Sequence, residues 1–222
     1  MLEYFNFRVI FEYYPLFLKG FLSTGWISLV SLILSLLVGI LACAGRLSKS
    51  RLFSTPAAAY IETIRSTPLL AQIYFFYFGL PSLGFRVPEL QTGILALTLN
   101  SGAYMAEIIR AGMQSVSTGQ IEAGTSSGLN YFQRLRFIVL PQAIGVTIPP
   151  LLGQAIVLVK DSSLLSLISV MELTRAGQIL TNERFMPAEG FFAGAALYLV
   201  LYFLLKLLST WWQKRLIFRQ AV

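Results

Sequence analysis

The stretch EAGTSSGLNYFQRLRFIVLP, residues 122–141, places small residues, two glycines and a closing proline between long apolar runs. Gln120–Ser127 predicts a short helix, because Gly128 suits the left-handed conformation that follows many helix C-termini. Asn130 is a favoured N-cap and predicts a second short helix at Tyr131–Arg136. The stretch therefore predicts two short helices that meet at a glycine bend, a shape suited to docking against another protein and not to catalysis.

The composition is that of a membrane protein. Of the 222 residues, 56% are apolar and only 12% are charged, and the mean hydropathy is +0.70. The formal net charge is +7, but the 17 lysine and arginine residues are scattered over short segments between the apolar runs. Nucleic-acid binding requires basic patches with interleaved aromatic residues. The charge therefore indicates membrane topology and no nucleic-acid partner.

Five apolar runs predict membrane-crossing helices, each of which takes about 20 residues. The predicted fold class is all-α, with about five transmembrane helices in a single membrane domain over residues 1–222. The segment Ser162–Met171 is too short to cross and predicts a re-entrant or interfacial segment. The first residues lack the pattern of a cleavable signal peptide. The predicted spans are residues 20–45, 60–85, 90–110, 140–160 and 190–212, with a loop at 115–137 between spans three and four.

Two local features are expected inside these spans. Pro68 predicts a kink near the start of span two, where the hydroxyl of Ser66 or Thr67 can satisfy the freed carbonyl groups. The alternative is a proline in the first turn of a helix. Glu107 and Arg110 lie three residues apart on one helical face and predict an ion pair.

The distribution of basic residues gives the predicted orientation. An odd number of spans places the termini on opposite sides of the membrane. Segments 46–65, 107–136 and 206–222 hold eleven lysine and arginine residues, and the remaining segments hold six. By the positive-inside rule the first set is cytoplasmic. The N-terminus is then outside, and the C-terminus and the 122–141 stretch are in the cytoplasm.

The residue types that most enzymes use are missing. The chain has no histidine and one cysteine, Cys43, which lies in an apolar run. An internal disulfide and a multi-cysteine metal site are therefore excluded. No G-x-x-x-x-G-K-[ST] run is present to bind a nucleotide. We expect no catalytic residue, metal or cofactor in this chain, and any powered transport must draw on a separate ATPase subunit.

The spacing within residues 122–141 resembles the EAA motif of ABC importer permeases, with Glu122, Ala123, Gly124, Gly128, Ile138, Leu140 and Pro141 on the pattern. In that family the motif forms a cytoplasmic coupling helix that the ATPase subunit grips. The resemblance implies the type I ABC importer permease fold. Gly124 stands where the pattern usually has alanine, which weakens helix propensity by about 0.8–1 kcal/mol. The alternative is an ordinary interfacial loop. The residues to which the resemblance gives a coupling role are Glu122, Ala123, Gly124, Gly128, Arg134 and Arg136.

Three further segments resemble the permeases for polar amino acids: RSTPLL at 65–70, LNSGAYMAEIIRAG at 99–112 and VKDSSLLSLISVMEL at 159–173. The resemblance covers nearly the whole chain. It implies an importer of the bacterial inner membrane, in which the chain pairs with a second permease, the same or homologous. It also implies two ATPase subunits that bind ATP and Mg²⁺, and an external solute-binding protein. The solute is a polar amino acid whose identity the sequence leaves open.

Polar groups within spans are candidates for the solute pathway, because they are costly in lipid. Asp161 is expected to receive the α-ammonium group of the solute, while Asn100 and Gln154 hydrogen-bond the rest. The alternative is that Asn100 and Gln154 only link helices, and that Asp161 pairs with Lys160 or caps the segment that follows. The candidates are Asn100, Ser101, Tyr104, Gln154 and Asp161.

Two other classes of membrane transport protein have sequence patterns of their own. A passive channel usually shows rings of pore-lining charge or a filter sequence, and a secondary transporter shows inverted repeats with paired broken helices. Neither pattern is visible in the sequence. A passive channel or a membrane assembly protein whose loop binds something other than an ATPase remains the alternative. Co-purification of an ATPase distinguishes a permease from either.

Overall fold

The chain is helical throughout the part that the structure describes. The computed structural model describes residues 5–220, with side chains described as far as Trp211. Phe75–Gly79 and Leu135–Val139 are π-helical turns, and Ser162–Ile168 is a 3₁₀ helix. The α-helices in chain order are α1 (Phe7–Glu12), α2 (Tyr14–Arg46), α3 (Arg51–Arg65), α4 (Leu69–Tyr74), α5 (Leu80–Ser82), α6 (Glu89–Gln114), α7 (Thr118–Ser126), α8 (Tyr131–Arg134), α9 (Leu140–Asp161), α10 (Leu173–Arg184) and α11 (Pro187–Gln220).

Among the described residues, three stretches of helix are long and apolar enough to cross a membrane, and these are Tyr14–Arg46, Tyr131–Ile168 and Pro187–Trp211. They overlap the predicted spans one, four and five. Helix α6 has 26 residues, but polar residues such as Asn100 lower its mean hydropathy. The continuous helix Leu69–Ser82 is apolar but shorter. Spans two and three therefore correspond to helices that length and composition alone do not mark as membrane-crossing.

The contact between α2 and α6 forms the centre of the molecule. A Cβ added at Gly39 of α2 would lie 2.8 Å from the Met105 Cβ of α6, and one added at Gly102 would lie 2.9 Å from the Val38 Cγ1. The two backbones can approach this closely only because both positions are glycine. Small residues at helix contacts are a common basis of association inside membranes.

The predicted second span, residues 60–85, is divided in the structure. Helix α3 ends at Arg65, and Pro68 is the extended N-cap of α4. Because proline disfavours the helical conformation at the residue before it, the chain breaks here instead of bending as a kinked helix. The Thr67 hydroxyl donates to two carbonyl groups in the last turn of α3, at 3.0 and 3.3 Å. Thr67 thus satisfies freed carbonyl groups, as predicted for this position.

Both π-helical turns are followed, after one residue, by a proline. Pro81 follows the turn Phe75–Gly79, and Pro141 follows the turn Leu135–Val139. Proline has no N–H to donate, and its ring clashes with the carbonyl group four residues earlier. A π-helical turn widens the backbone at that point. The helix therefore continues through each proline instead of ending there.

The segment Ser162–Met171 is folded into the core. Leu165 and Ile168 are buried in one apolar cluster with Ile27 of α2 and Leu97 of α6. This burial contradicts the interfacial interpretation of the segment. Backbone that leaves the α-helical pattern is tolerated at membrane depth only where protein covers it, and the cluster provides that cover.

Helix α10 begins at a fully buried carboxylate. Glu172 accepts hydrogen bonds from the backbone N–H groups of Thr174 at 2.8 Å and Arg175 at 2.6 Å, and from the Tyr198 hydroxyl at 2.5 Å. Burial raises the pKa of the Glu172 carboxyl above its ordinary value, and these hydrogen bonds offset the increase only in part. Glu172 therefore caps α10 and ties its start to α11.

Candidate coupling surface and solute pathway

The predicted glycine bend is present between α7 and α8. Gly128 has φ +82°, in the left-handed region that a side chain disfavours. The Leu129 N–H donates to the Gly124 carbonyl at 3.0 Å, and the Gly128 N–H donates to the Thr125 carbonyl at 3.0 Å. This pair of bonds is the Schellman pattern that closes a helix C-terminus. The end of α7 is thus fixed by bonds within the stretch itself.

The second arm of the bend starts as the sequence predicts. The Asn130 side chain accepts from the Gln133 N–H at 3.0 Å, and the Asn130 N–H donates to the Gln133 side chain at 2.8 Å. These reciprocal bonds form a capping box. The Arg134 guanidinium donates to the Leu129 carbonyl at 2.6 Å, which holds the first turn of α8 against the bend.

The second arm does not end where the sequence predicts. The expected short helix Tyr131–Arg136 instead continues through the π-helical turn into α9. The physical reason is that the residues after Arg136 are apolar, and that the π-helical turn before Pro141 lets the helix continue through the proline. The bend therefore joins a short polar helix to one long helix.

The coupling candidates divide into exposed and packed residues. Glu122, Ala123 and Gly128 are exposed on the bend. Arg136 is also exposed, with its guanidinium 5.8 Å from the centre of the Phe137 ring. The packed candidates are Gly124, which is buried, and Arg134, which is half-buried.

Gly124 is the position at which α7 meets the second arm. A Cβ added there would lie 2.5 Å from the Ile138 Cδ1 and 3.4 Å from the Arg134 side chain. The glycine thus lets α7 lie close against the π-helical turn. An alanine fits only if the end of the Ile138 side chain rotates away. The glycine that stands here in place of the usual alanine of the EAA motif therefore agrees with the local packing. The Gln142 amide, which donates to the Gln120 side chain at 2.5 Å, provides a second link between α7 and α9.

The pathway candidate Asn100 belongs to a buried cluster at the α3–α4 break. Its amide donates to the Gln72 side chain of α4 at 3.1 Å. The Gln72 amide donates in turn to the carbonyl groups of Ile64 at 2.8 Å and Thr67 at 3.1 Å. Asn100 thus links α6 to α4, and Gln72 satisfies the backbone of the break. This is the helix-linking arrangement that the sequence left open as the alternative.

The other pathway candidates lie on α6 and α9. The Gln154 amide of α9 donates to the Ser101 hydroxyl of α6 at 3.1 Å. Tyr104 lies under the Arg65 guanidinium, which is 5.3 Å from its ring centre. Asp161 lies seven residues after Gln154, on the same helical face and about 10 Å further along.

Asp161 makes no ion pair with Lys160. Within the described side chains its carboxylate has neither a hydrogen bond nor a salt bridge, and it is half-buried. The structural alternatives for Asp161, pairing with Lys160 or capping the Ser162 segment, are therefore not observed, since no side-chain cap is made there.

An ion-pair cluster lies near the C-terminal end of α6, the end from which the chain leads to α7. Glu107 and Arg110 form the predicted pair, with two contacts of 2.8 and 2.7 Å. Arg65 approaches the same carboxylate at 3.7 Å. The sequence analysis missed the roles of Arg65 and Gln72. The signal was available for Gln72, an amide in the otherwise apolar run that follows Pro68.

The described chain is helical, with a polar bend at one end of a long apolar helix and a buried amide cluster at a broken helix. These features are those of a transport permease. Residues 32–218 match the family of binding-protein-dependent transport system inner membrane components. The chain belongs to this family.

Relatives from several bacteria align over nearly the whole chain. The probable glutamine ABC transporter permease GlnM of Bacillus subtilis is 37% identical over 95% of this chain and 98% of its own length. The glutamine transport permease GlnP of Escherichia coli K12 is 36% identical over 89% and 91%. The nopaline transport permease NocM of Agrobacterium fabrum is 36% identical over 92% and 90%.

Solved structures share the fold. An amino acid ABC transporter crystallised with histidines has a chain that is 34% identical, with a TM-score of 0.92 over 95% of this chain and 99% of that one. The MetNI methionine transporter is 20% identical, with a TM-score of 0.74 over 90% and 96%. The second comparison supports the fold alone.

Proposed function

We propose that this chain moves polar amino acids across the bacterial inner membrane as the permease subunit of an ATP-driven importer. ATP and Mg²⁺ bind to two partner ATPase subunits, a second permease chain completes the channel, and a solute-binding protein delivers the amino acid. The observation that carries the proposal is the exposed bend at Gly128, which is closed by its own hydrogen bonds and continues into the helix that bears Gln154.

The proposed arrangement has five spans, with α3–α5 acting together as the second and α6 as the third. The α7–α8 bend then lies between spans three and four and faces the cytoplasm, with the N-terminus outside. The excess of basic residues in segments 46–65, 107–136 and 206–222 supports this orientation. The bend is the coupling helix against which the ATPase subunit docks.

The proposed solute class follows from the relatives and from the chemistry of the cluster. Three relatives are named for glutamine or for nopaline, an amino acid derivative. In this chain Gln72 and Gln154 bring amide groups to the adjacent residues Asn100 and Ser101 of α6. The half-buried Asp161 carboxylate can receive an ammonium group. These groups suit a polar amino acid better than an apolar solute.

The substitution Gly128→Val tests the coupling role. Valine disfavours φ +82°, and the left-handed conformation costs it about 1–2 kcal/mol. We therefore expect the bend to distort. ATPase co-purification and uptake in proteoliposomes should both fall severalfold, while the solute still binds to its external protein. Gly119→Val is the control, because Gly119 lies on α7 in open space. Full uptake and full solute-stimulated ATP hydrolysis with Gly128→Val would refute the coupling role of the bend.

A further inference from the structure

A long apolar groove runs along the outside of the described chain between α2 and α9. Its floor is α6. Two adjoining parts of the groove enclose about 580 and 300 Å³, and both are lined by Leu36, Ile148 and Leu151. None of the candidate coupling or pathway residues lines it, although Tyr131 at the start of α8 borders one end, and the proposed function assigns it no ligand.

The groove is longer than one leaflet of a bilayer is deep. Its α2 wall runs from Leu32 to Leu47, and its α9 wall from Leu140 to Ala155. At the rise of an α-helix each wall is about 22 Å long. One leaflet contributes about half of the roughly 30 Å hydrocarbon core. The groove is therefore long enough to hold an acyl chain over the full depth of one leaflet.

The walls of the groove offer apolar surface and little else. Ile40 and Ile144 on its two sides are 48% and 50% exposed, so the described chain leaves about half of each side chain uncovered. The Thr147 hydroxyl, which also lines the groove, donates to the Ala143 carbonyl of its own helix at 2.6 Å. It needs no partner in the groove. The lining therefore favours a hydrocarbon chain.

One end of the groove is strongly basic. Leu47 and Ser48 line the groove there, and Arg46, Lys49 and Arg51 stand beside them within six residues of sequence. Glu62 approaches Arg46 at 3.8 Å, while Lys49 and Arg51 have no acidic partner in the described part of the chain. Two exposed cations at this end are therefore available to an anion.

We infer that the groove binds an anionic glycerophospholipid of the cytoplasmic leaflet. One acyl chain lies between α2 and α9, and the phosphate lies at the turn of Lys49 and Arg51. Basic residues just beyond a membrane helix attract anionic headgroups, and the burial of each methylene group adds to the binding. The inference uses the proposed cytoplasmic position of this turn but not the ATPase or the solute.

A second copy of the chain fits the groove less well than a lipid. A two-fold contact made through this surface presents the same patch from both copies. The two basic ends would then face each other or be left without a counter-charge. An anionic lipid neutralises the cations and covers the apolar walls at once.

Lipid retention by the purified, assembled complex tests the headgroup site without ATP or solute. We expect native mass spectrometry to show phosphatidylglycerol retained over phosphatidylcholine. The double substitution Lys49→Gln/Arg51→Gln should weaken phosphatidylglycerol retention about thirtyfold, about fivefold for each charge removed. Lys19→Gln removes an exposed cation near the other end of α2 and should leave retention unchanged. Equal retention of the two lipids, or an equal effect of Lys19→Gln, would overturn the inference.

Filling the groove tests the acyl-chain site. Ile144→Trp places a large side chain in the groove and should abolish selective lipid retention. Val146→Trp is the matched control, because Val146 is 55% exposed on α9 but outside the groove. A disulfide between two copies carrying Ile144→Cys would assign the groove to a second copy and overturn the inference. Loss of ATPase docking or of uptake, with lipid retention intact, would count against the proposed function alone.

Discussion

The bend at Gly128 and the amide cluster at Asn100 are both held by hydrogen bonds. The two regions differ in the sequence separation of the residues that these bonds join. At the bend, the bonds join residues three to five positions apart. At the cluster, Asn100 and Gln72 lie 28 positions apart, and Gln154 and Ser101 lie 53 apart. The bend is therefore a local structure that its own sequence specifies, whereas the cluster exists only once α4, α6 and α9 are packed together.

The largest effect is expected from breaking the cluster at its centre. Gln72→Leu leaves the Asn100 amide and the carbonyl groups of Ile64 and Thr67 without this partner, and each unsatisfied buried group costs about 1–3 kcal/mol. We expect a large loss of thermal stability of the purified complex in detergent. Adding Asn100→Leu should recover part of the lost stability, because the double variant no longer buries the Asn100 amide without its hydrogen-bond partner.

The matched control for Gln72→Leu is the loss of an exposed glutamine on α7, next to the bend. Gln120→Leu removes an amide whose side chain bonds Gln142 at an exposed position, and we expect a change within about 0.5 kcal/mol. If Gln72→Leu is as mild as Gln120→Leu, the cluster does not hold the break together.

A smaller effect on stability, but a large one on transport, is expected at Asp161. Asp161→Asn keeps the shape and removes the charge that is proposed to receive the solute ammonium group. Uptake in proteoliposomes should fall about tenfold to a hundredfold, as for a lost hydrogen bond to a charged group, with the amount of assembled complex unchanged. Lys160→Gln should matter less, since no pair between them is observed. Normal uptake by Asp161→Asn, or failure to assemble, would remove Asp161 from the pathway.

The bend itself should tolerate an added methyl group where the packing can give way. Gly124→Ala gains about 0.8–1 kcal/mol of helix propensity but brings its Cβ against the Ile138 Cδ1. We expect a net change near zero in ATPase co-purification and in thermal stability. Ile138→Val removes the crowded Cδ1, so the double variant should be more stable than Ile138→Val alone. A strong loss in Gly124→Ala that Ile138→Val leaves uncorrected would contradict this packing account.

The smallest effect is expected from the titration of Glu172. Its pKa is raised in the folded state, so the unfolded chain releases its proton first as the pH rises through the window that starts at 4.5. The contribution of this residue to stability should therefore fall with rising pH across that window. Glu172→Gln should flatten the pH dependence of the melting temperature of the purified complex. An unchanged slope in Glu172→Gln would remove this assignment.

The sequence predicted what depends on neighbours along the chain. The left-handed Gly128, the Asn130 cap and the Glu107–Arg110 pair all involve residues close in sequence, and each is present. The predicted end of the second arm at Arg136 was wrong, because the apolar residues that follow continue the helix through the π-helical turn into α9. The partners of Asn100 and Gln154 depend on how distant helices pack, and no local pattern contains that information.

The π-helical turn at Leu135–Val139 makes the two arms of the bend mechanically unequal. Helix α7 is a separate short helix, held to the second arm by the turn at Gly128 and by the contacts of Gly124 and Gln120. Helix α8 is the first turn of the same rod that carries Gln154, about 35 Å further along at the helical rise. A displacement of α8 would therefore be transmitted along this continuous helix, in which the π-helical turn is an irregular stretch of backbone between α8 and Gln154. Because that turn holds one residue more than an α-helical turn, it also sets the rotation about the helix axis between the proposed docking end at α8 and Gln154.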